Sequence, residues 1–256
     1  MLFCGAFCVI ILAEKEVICL KFKTELHCHS RTVSACATIS PEEIVEKYLA
    51  DGYTTVVLAD HLSPATFEGE RYTGGDDWQE KIDYYMNGYH ALKKAAEGKL
   101  HILQGCEIRI AARTGDFLVY GITEEFLRQN PDLLEIPSIR LMCARLREAG
   151  FLLYQAHPFR NGMPISDPAW LDGIEVYNAH GRHNSRNDFA ELWAQRYGLL
   201  QISGSDVHHA KRDLAGGGIL TDEPVTDMAQ LMQILREGRY TLLREGKPGD
   251  GTQKAE

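Results

Sequence analysis

Two histidines separated by a single residue are the first feature of the sequence that could support chemistry. His27-Cys28-His29 ends an apolar run that begins near Val17. If this run is a strand, its two-residue alternation places His27 and His29 on one face and Cys28 on the other. Two imidazoles side by side at a strand end can chelate one metal ion. Taken alone, such a pair is more often two incidental surface histidines, so the other strand ends must decide.

Further histidines and carboxylates follow later apolar runs in the same way. Groups of this kind are costly to bury without partners, and several at one site are compatible when divalent metal ions bind there. Imidazole and carboxylate ligands suit zinc, manganese or iron, and the pattern does not predict a softer thiolate site. The candidate catalytic and metal-binding residues are His27, His29, His61, Glu107, His157, Asp206 and His208.

The segments that must position these residues alternate between helix and strand patterns. The stretch 40–43, Ser-Pro-Glu-Glu, has the N-cap serine, first-turn proline and third-position glutamate that begin a helix, and Gly52 ends it. The β-branched run 54–59 then predicts a buried parallel strand that ends at Asp60-His61. This order predicts parallel strands joined by right-handed crossovers.

About seven such strands favour the α/β class and a closed or nearly closed (β/α) barrel, whose active site lies at the carboxyl ends of the strands. Gly216-Gly217-Gly218 is interpreted as a flexible turn. The remaining predicted elements are helices over 78–97, 123–129, 137–149 and 227–236, a helix ending at 197, and strands over 100–108, 116–121, 151–156, 173–178, 199–203 and 240–243.

Five motifs in order resemble those of the PHP (polymerase and histidinol phosphatase) family. They span roughly Lys21 to Leu243 and are His27-x-His29, Asp60-His61, Gly105-x-Glu107, Ala156-His157-Pro158 and Ser203-Gly204-Ser205-Asp206-x-His208. The resemblance implies a distorted seven-stranded, TIM-like (β/α) barrel. It also implies a site with two or three divalent metal ions (Zn, Mn or Fe) whose activated hydroxide hydrolyses phosphate esters.

The resemblance also implies ligand roles. A first metal would be held by His27, His29, Glu107 and Asp206. Glu107 would bridge to a second metal, which His157 would also ligate.

His61 and His208 would hold a third metal, and Asp60 would orient a ligand rather than bind a metal itself. His209 lies one position beyond the motif and is left out of the site.

Two departures from the family pattern bear on the number of metals. Many members have an aspartate or histidine a few residues after the first motif, where this chain has Ser34 and Ala35. Many phosphatase members also have a histidine on the strand after the bridging glutamate, where this chain has Asp116. Asp116 either replaces that histidine as an oxygen ligand or caps the strand.

Arginines near the predicted rim are candidates for binding phosphate oxygens, bidentately where geometry permits. They are Arg31, Arg160, Arg182 and Arg186, with Arg109 as a weaker candidate. Each is equally compatible with a solvated surface charge. The loop 178–187 is dense in polar donors and is interpreted either as a substrate contact or as a hydrogen-bonded loop.

Composition limits the partners. The net charge of -9 argues against strong non-specific nucleic-acid binding. The sequence contains no apolar span of 20 residues, so we expect no membrane helix. The seven cysteines are odd in number and include no Cys-x-x-Cys pair, which favours reduced thiols and a cytoplasmic location. The expected partner is a small phosphorylated metabolite or nucleotide.

Residues 20–245 are predicted to form a single barrel domain and 246–256 a disordered tail. Residues 1–19 are apolar but lack a basic start and a clear cleavage site. We interpret them as a leader or an over-extended start that is not part of the fold.

Two other functions are compatible with the motifs. Related barrels with His-x-His sites are metal-dependent amidohydrolases, which the absence of a lysine at any predicted strand end disfavours. A non-catalytic PHP-type structural module is the second alternative, and the near-complete ligand set argues against it. The sequence contains no Gly-x-Ser-x-Gly elbow, which argues against an acyl-transfer serine. It also contains no Gly-Lys-Ser/Thr loop of the kind that binds nucleotide phosphates.

Overall fold

The computed structural model describes residues 21–111 and 115–246 of the 256-residue chain. The predicted leader at 1–19 and residues 247–256 of the predicted tail lie outside the described residues. Among the described residues, no helix is both long enough and apolar enough to cross a membrane.

The described residues form alternating strands and helices. The strands are β1 (Phe22–Cys28), β2 (Tyr53–Leu58), β3 (His61–Leu62), β4 (His101–Ile108), β5 (Phe117–Tyr120), β6 (Leu152–Gln155), β7 (Gly173–Asn178), β8 (Leu200–Gly204), β9 (Gly217–Thr221) and β10 (Thr241–Arg244). The α-helices are α1 (Pro41–Ala50), α2 (Trp78–Ala96), α3 (Glu124–Gln129), α4 (Ile139–Glu148), α5 (Asn187–Tyr197) and α6 (Met228–Glu237).

The strands form one curved sheet in the order β10-β9-β1-β2-β4-β5-β6-β7-β8, with β3 paired to β4. The segment after β8 returns to β1, where Cys28 and Val207 form a parallel bridge. The Asp206 amide also donates to the His27 carbonyl at 2.8 Å. Strands β1, β2 and β4 to β8 therefore surround a nearly closed barrel, which confirms the predicted α/β class and the distorted barrel.

The prediction of a purely parallel sheet is wrong at β5. This strand runs antiparallel to both β4 and β6. The connection from β4 to β5 contains no described helix, so the chain turns back as a hairpin instead of crossing over. As a result, Asp116, which precedes β5, lies at the same rim as the carboxyl ends of the parallel strands.

The interpretation of Gly216-Gly217-Gly218 as a flexible turn is also wrong, because Gly217 and Gly218 begin β9. This strand pairs antiparallel with β1 and β10. A Cβ on Gly217 would lie 2.1 Å from the Gly204 carbonyl carbon, and one on Gly218 would lie 2.2 Å from the Thr24 carbonyl oxygen. These glycines are required because two backbones approach each other closely.

Local sequence explains how the first helix begins. The Ser40 hydroxyl accepts from the Glu43 amide at 3.2 Å, and the Glu43 carboxylate accepts from the Ser40 amide at 2.8 Å. This reciprocal pair is the predicted capping box. The barrel interior is filled by side chains that include Leu26, Leu118 and Tyr120, and further apolar clusters lie between the sheet and the helices.

Candidate metal centre

The structure brings the seven candidate ligands together at one rim of the barrel. Strand β1 carries His27 and ends beside His29, and β4 carries Glu107 near its carboxyl end. All seven are buried except His61, whose side chain is 25% exposed. The four remaining candidates lie at or just beyond the ends of other strands, and they are His61, His157, Asp206 and His208.

Four of these residues enclose a single point. The His27 Nε2 atom lies 3.5 Å from Glu107 Oε2 and 3.4 Å from Asp206 Oδ1. The His29 Nε2 atom lies 3.4 Å and 3.3 Å from the same two oxygens. Ligands at about 2.1 Å from a tetrahedral metal ion are separated by about 3.4 Å. These four histidine-to-carboxylate distances therefore match the spacing of ligands around one metal ion.

The hydrogen bonding at this point also fits a metal. The Nε2 atoms of His27 and His29 are buried and have no hydrogen-bond partner, and the buried Oε2 atom of Glu107 makes no hydrogen bond of good geometry, although His61 Nδ1 lies 2.8 Å away. Such orphaned groups are rare in folded proteins and costly in free energy. A divalent cation would satisfy all of them at once, so the donor set fits the predicted metal.

The two carboxylate oxygens of Glu107 face different histidines. Its Oε2 atom lies 2.8 Å from His61 Nδ1, and its Oε1 atom lies 3.2 Å from His157 Nε2. This division of contacts suits a carboxylate that bridges two metal positions. Asp116 could join Glu107 and His157 at the second position, because ligand atoms of the three lie within 4.8 Å of one another.

Asp116 is nevertheless already engaged by a cation. Its two oxygens accept from Arg109 Nε at 2.5 Å and Arg109 Nη2 at 2.6 Å. This bidentate pair explains why a carboxylate can be buried there. Arg109 thus lines the cavity as a partner of Asp116.

The buried charges of the cluster stabilise one another. Burial alone would favour neutral carboxyl groups, but His61 and His27 hold the pKa of Glu107 well below its ordinary value. Burial would also raise the pKa of Asp206, but the nearby His27 and His208 hold it well below its ordinary value. Burial, reinforced by His208 and His61, lowers the pKa of His29 well below its ordinary value. His29 is therefore neutral, the form that ligates a metal.

Glu175 on β7 orients two of the candidate ligands and was missed in the sequence. Its Oε1 atom lies 2.9 Å from His27 Nδ1, and its Oε2 atom accepts from the His157 amide at 2.9 Å. The contact at Nδ1 turns His27 Nε2 towards the centre, as is common around protein metals. A glutamate within the apolar run of β7 is the signal that could have found it.

Asn178 links Glu175 to Asp206. Its side-chain amide donates to Glu175 Oε2 at 3.0 Å and to Asp206 Oδ2 at 3.2 Å. Glu25 holds the backbone on the other side, because its Oε1 atom accepts from the amides of Leu26, His27 and Ser205. Burial raises the pKa of this carboxyl to about 7.

Asp60 and Ser34 form a network behind His29 and His61. Asp60 Oδ1 accepts from the Ser30 amide and from the Ser34 hydroxyl, both at 2.7 Å. The Ser34 oxygen in turn accepts from the His61 amide at 3.0 Å and lies 3.5 Å from His29 Nδ1. Ser34 therefore shapes the site indirectly, as proposed for Asp60.

Two candidate ligands have an unusual backbone. His157 has a φ of 29° and Asp206 a φ of 53°, in the left-handed region that favours glycine. Non-glycine residues in this region are strained and concentrate at functional sites. The strain turns both side chains inward immediately after their strands end.

The predicted arginines separate into two groups. Arg160 and Arg182 line a cavity of about 360 Å³ beside the cluster, whereas Arg31 and Arg186 do not. The Arg186 guanidinium donates instead to the Phe159 carbonyl at 2.6 Å and to Asn161 Oδ1 at 2.5 Å. Arg160 and Arg182, together with Arg109, are therefore the predicted arginines that line this cavity.

The loop after β7 contributes two histidines to the cavity. Arg160 donates to His183 Nε2 at 2.6 Å, and burial together with the Arg160 charge lowers the pKa of His183 to about 4. His180 is buried, and ligand atoms of His180, Asp206 and His208 lie within 4.8 Å of one another. His209 does not line the cavity.

Cys36 is a cavity-lining residue that the sequence reasoning did not include. Burial alone would raise the pKa of its thiol, but hydrogen bonds with His208 and His61 lower it to about 6. Because the loop 30–39 has no regular pattern, its side-chain directions could not be predicted.

These features define a distorted (β/α) barrel with a cluster of potential metal ligands at one rim. The family model described as the PHP domain matches residues 25–242. The chain therefore belongs to the PHP family, which confirms the resemblance seen in the motifs.

An uncharacterised protein of Methanocaldococcus jannaschii is 25% identical over 197 residues. The match covers 73% of this chain and 65% of that protein, so the chain spans less than two thirds of its length.

Two solved structures share the fold. A two-domain protein from Bacteroides vulgatus, described as containing a predicted PHP-like metal-dependent phosphoesterase, superposes with a TM-score of 0.61 at 18% identity. The superposition covers 88% of this chain and 65% of that one. A candidate metal-dependent phosphoesterase from Bifidobacterium adolescentis gives a TM-score of 0.54 at 20% identity, with 84% and 96% covered.

Proposed function

We propose that this protein is a metal-dependent hydrolase of phosphate esters, acting on a small phosphorylated metabolite or nucleotide. The observation that carries the proposal is the set of four histidine-to-carboxylate distances of 3.3–3.5 Å, in which both histidine Nε2 atoms are buried without hydrogen-bond partners. No neutral network in the described residues satisfies these groups, whereas a divalent ion would.

Two or three divalent ions, zinc, manganese or iron, would be held at this rim. The proposed ligands are His27, His29, His61, Glu107, His157, Asp206 and His208. When bound, such ions lower the pKa of a neighbouring water and supply positive charge to phosphoryl oxygens.

The chain's own residues would orient the substrate. Arg160 and Arg182 would donate to phosphate oxygens that face away from the metal ligands. His183 has its Nε2 occupied by Arg160, so it positions this guanidinium and stays neutral near pH 7. The cavity of about 360 Å³ lies in the size range of small-molecule sites. This size supports a small substrate.

The test combines metal analysis with a substrate screen. The purified protein is analysed for bound metals and assayed with phosphomonoesters, phosphodiesters and amides. His157→Ala and Asp206→Asn should each reduce phosphate release by about 100-fold or more. His101→Ala is the matched control, because His101 is exposed at the opposite end of the strand that carries Glu107.

Three results would contradict the proposal. Equal phosphate release by wild type and both site variants would exclude the cluster as the site of hydrolysis. Activity on amides alone would favour the amidohydrolase alternative. Absence of both metal and activity would favour a non-catalytic module.

A further inference from the structure

We infer that Cys36 is a metal ligand, supplying a thiolate to a zinc-preferring position that it shares with His61 and His208. This inference deepens the proposed function and rests on it for the presence of metals at this rim. It replaces the sequence-based expectation of a site built from imidazole and carboxylate alone.

The position of Cys36 carries the first step. Its side chain lines the same cavity as His61 and His208, whose ring centroids lie 5.8 Å apart. The His208 Nδ1 atom lies 3.0 Å from the Asp206 carbonyl, to which it donates. The Nε2 lone pair of His208 is therefore available to a ligand.

A crowded group of imidazoles on the inner side points to the same position. Ligand atoms of His29, His61 and His208 lie within 4.8 Å of one another. The His29 ring lies 4.4 Å from the His61 ring and 4.3 Å from the His208 ring, measured between centroids. His29 is fully buried, and its Nε2 already faces Glu107 and Asp206, so only His61 and His208 are assigned to this position. Three crowded imidazoles of this kind are the usual surroundings of a cation.

The loop that carries Cys36 is held firmly in place. Arg71 donates to the carbonyls of Arg31 and Ser34 at 2.7 Å and to the Ala37 carbonyl at 3.0 Å. The Thr38 and Ile39 amides donate to the His208 carbonyl at 2.8 and 3.1 Å. The loops bearing Cys36 and His208 are thus fixed to each other, as a preformed ligand set requires.

The chemistry of the donors predicts the metal. On binding, Cys36 releases its thiol proton to solvent, and the thiolate sulfur donates an electron pair to the ion. One thiolate with two imidazoles leaves a fourth, open position, which is the arrangement of catalytic zinc sites. A soft sulfur ligand favours zinc over manganese or magnesium.

Cobalt substitution tests the ligand directly, without using activity. The metal-free full-length protein is titrated with Co²⁺, and the sulfur-to-cobalt charge-transfer absorption in the near ultraviolet is recorded. Wild type should show this band, whereas Cys36→Ser should lack it and bind one ion fewer. Cys143→Ala should keep the band, because Cys143 is a free thiol of the outer core.

Two further measurements keep the result interpretable. Circular dichroism should show that Cys36→Ser is folded, which its exposed loop position favours. Cys36→Asp should recover the lost ion without the band and shift the metal preference from zinc to manganese. Zn²⁺ should also lower the number of thiols that iodoacetamide alkylates in the wild-type protein, as measured by mass. The same addition of Zn²⁺ should not lower this number in variants that lack Cys36.

Arg71 serves as a second variant because it touches the loop and not the metal. Arg71→Met should weaken binding of the cobalt ion that gives the band by about 10-fold to 100-fold. Arg196→Met, on an exposed position of α5, should leave it unchanged.

The outcomes separate this inference from the proposed function. Phosphate-ester hydrolysis by a wild-type protein that has no Cys36-dependent band overturns the thiolate ligand and leaves the hydrolase standing. A Cys36-dependent band in a protein that hydrolyses no phosphate ester supports the ligand and overturns the hydrolase.

Discussion

At the scale of single residues, the candidate site depends on side chains that hold other side chains in place. Glu175 and Asn178 orient His27 and Asp206, and Glu25 collects the backbone amides beside them. These residues make no contact with the cavity, yet their removal would leave buried groups unpaired. We therefore expect stability and metal binding to be coupled at this rim.

Substitution of Glu25 tests this coupling. Glu25→Ala leaves the amides of Leu26, His27 and Ser205 without their acceptor. At about 1 kcal/mol or more for each lost partner, the free energy of unfolding should fall by about 3 kcal/mol. Glu25→Gln keeps an acceptor oxygen and should lose clearly less. Urea unfolding compares the variants, and equal losses would show that the carboxylate does not organise this backbone.

The left-handed backbone of Asp206 predicts an unusual order of stabilities. In metal-free protein, Asp206→Gly should be about 1 kcal/mol more stable than Asp206→Ala, because only glycine adopts a φ of 53° without strain. Asn87, an exposed position of α2, provides the control. There the alanine variant should be the more stable by about 1 kcal/mol. The same order at both positions would show that Asp206 is unstrained.

At the scale of elements, α2 packs so closely against the site that one of its residues must lack a side chain. A Cβ on Gly88 would lie 2.6 Å from Asp60 Oδ2 and 3.0 Å from Val33 Cγ2. Asp60 belongs to the network behind His29. The helix therefore influences the candidate ligands without contributing one.

Gly88→Ala should accordingly destabilise the protein, although the same change stabilises most helices. In an ordinary helix, this change would add about 1 kcal/mol of stability. Here we expect a loss of about 1–3 kcal/mol through overpacking, together with weaker metal retention. Asn87→Ala on the same helix is the control and should not destabilise the protein. Thermal unfolding with metal analysis measures both effects, and a stabilised Gly88→Ala protein would contradict the close packing.

At the scale of the whole molecule, ligands from both ends of the chain close the barrel around one centre. His27 lies on β1, the first described strand, and Asp206 lies far along the chain beyond β8. An ion bound between them would link the two sides where the sheet closes. Such an ion binds the folded state and adds to its stability by mass action.

Chelation should therefore destabilise the entire barrel. At a free metal concentration of 100 times the dissociation constant, binding adds about 2.7 kcal/mol to the free energy of unfolding. Removal of the metals by a chelator should lower the melting temperature by about 5–10 °C in a domain of this size. Zn²⁺ or Mn²⁺ should restore it. Asp206→Asn should respond much less, and an identical response would place the stabilising ion elsewhere.

The sequence by itself was sufficient for the barrel and for the expectation that seven candidate residues meet at one rim. Apolar runs define the strands, and a residue at or just beyond the carboxyl end of a buried strand must lie at the rim, so His27, Glu107 and Asp206 could be identified as candidates from local pattern. The capping box of α1 is equally local and was also predicted. Strand direction at β5 and the strand at Gly217–Thr221 were not, because pairing partners are chosen by the folded sheet.

Only the tertiary structure decided which groups meet. The spacing of 3.3–3.5 Å at His27 and His29 depends on β1 lying beside the segment after β8. The place of Cys36 in one cavity with His61 and His208 depends on the loop contacts of Arg71. A strand end is fixed by backbone hydrogen bonds that repeat regularly. A loop side chain is directed by contacts between segments distant in sequence, which no local pattern records.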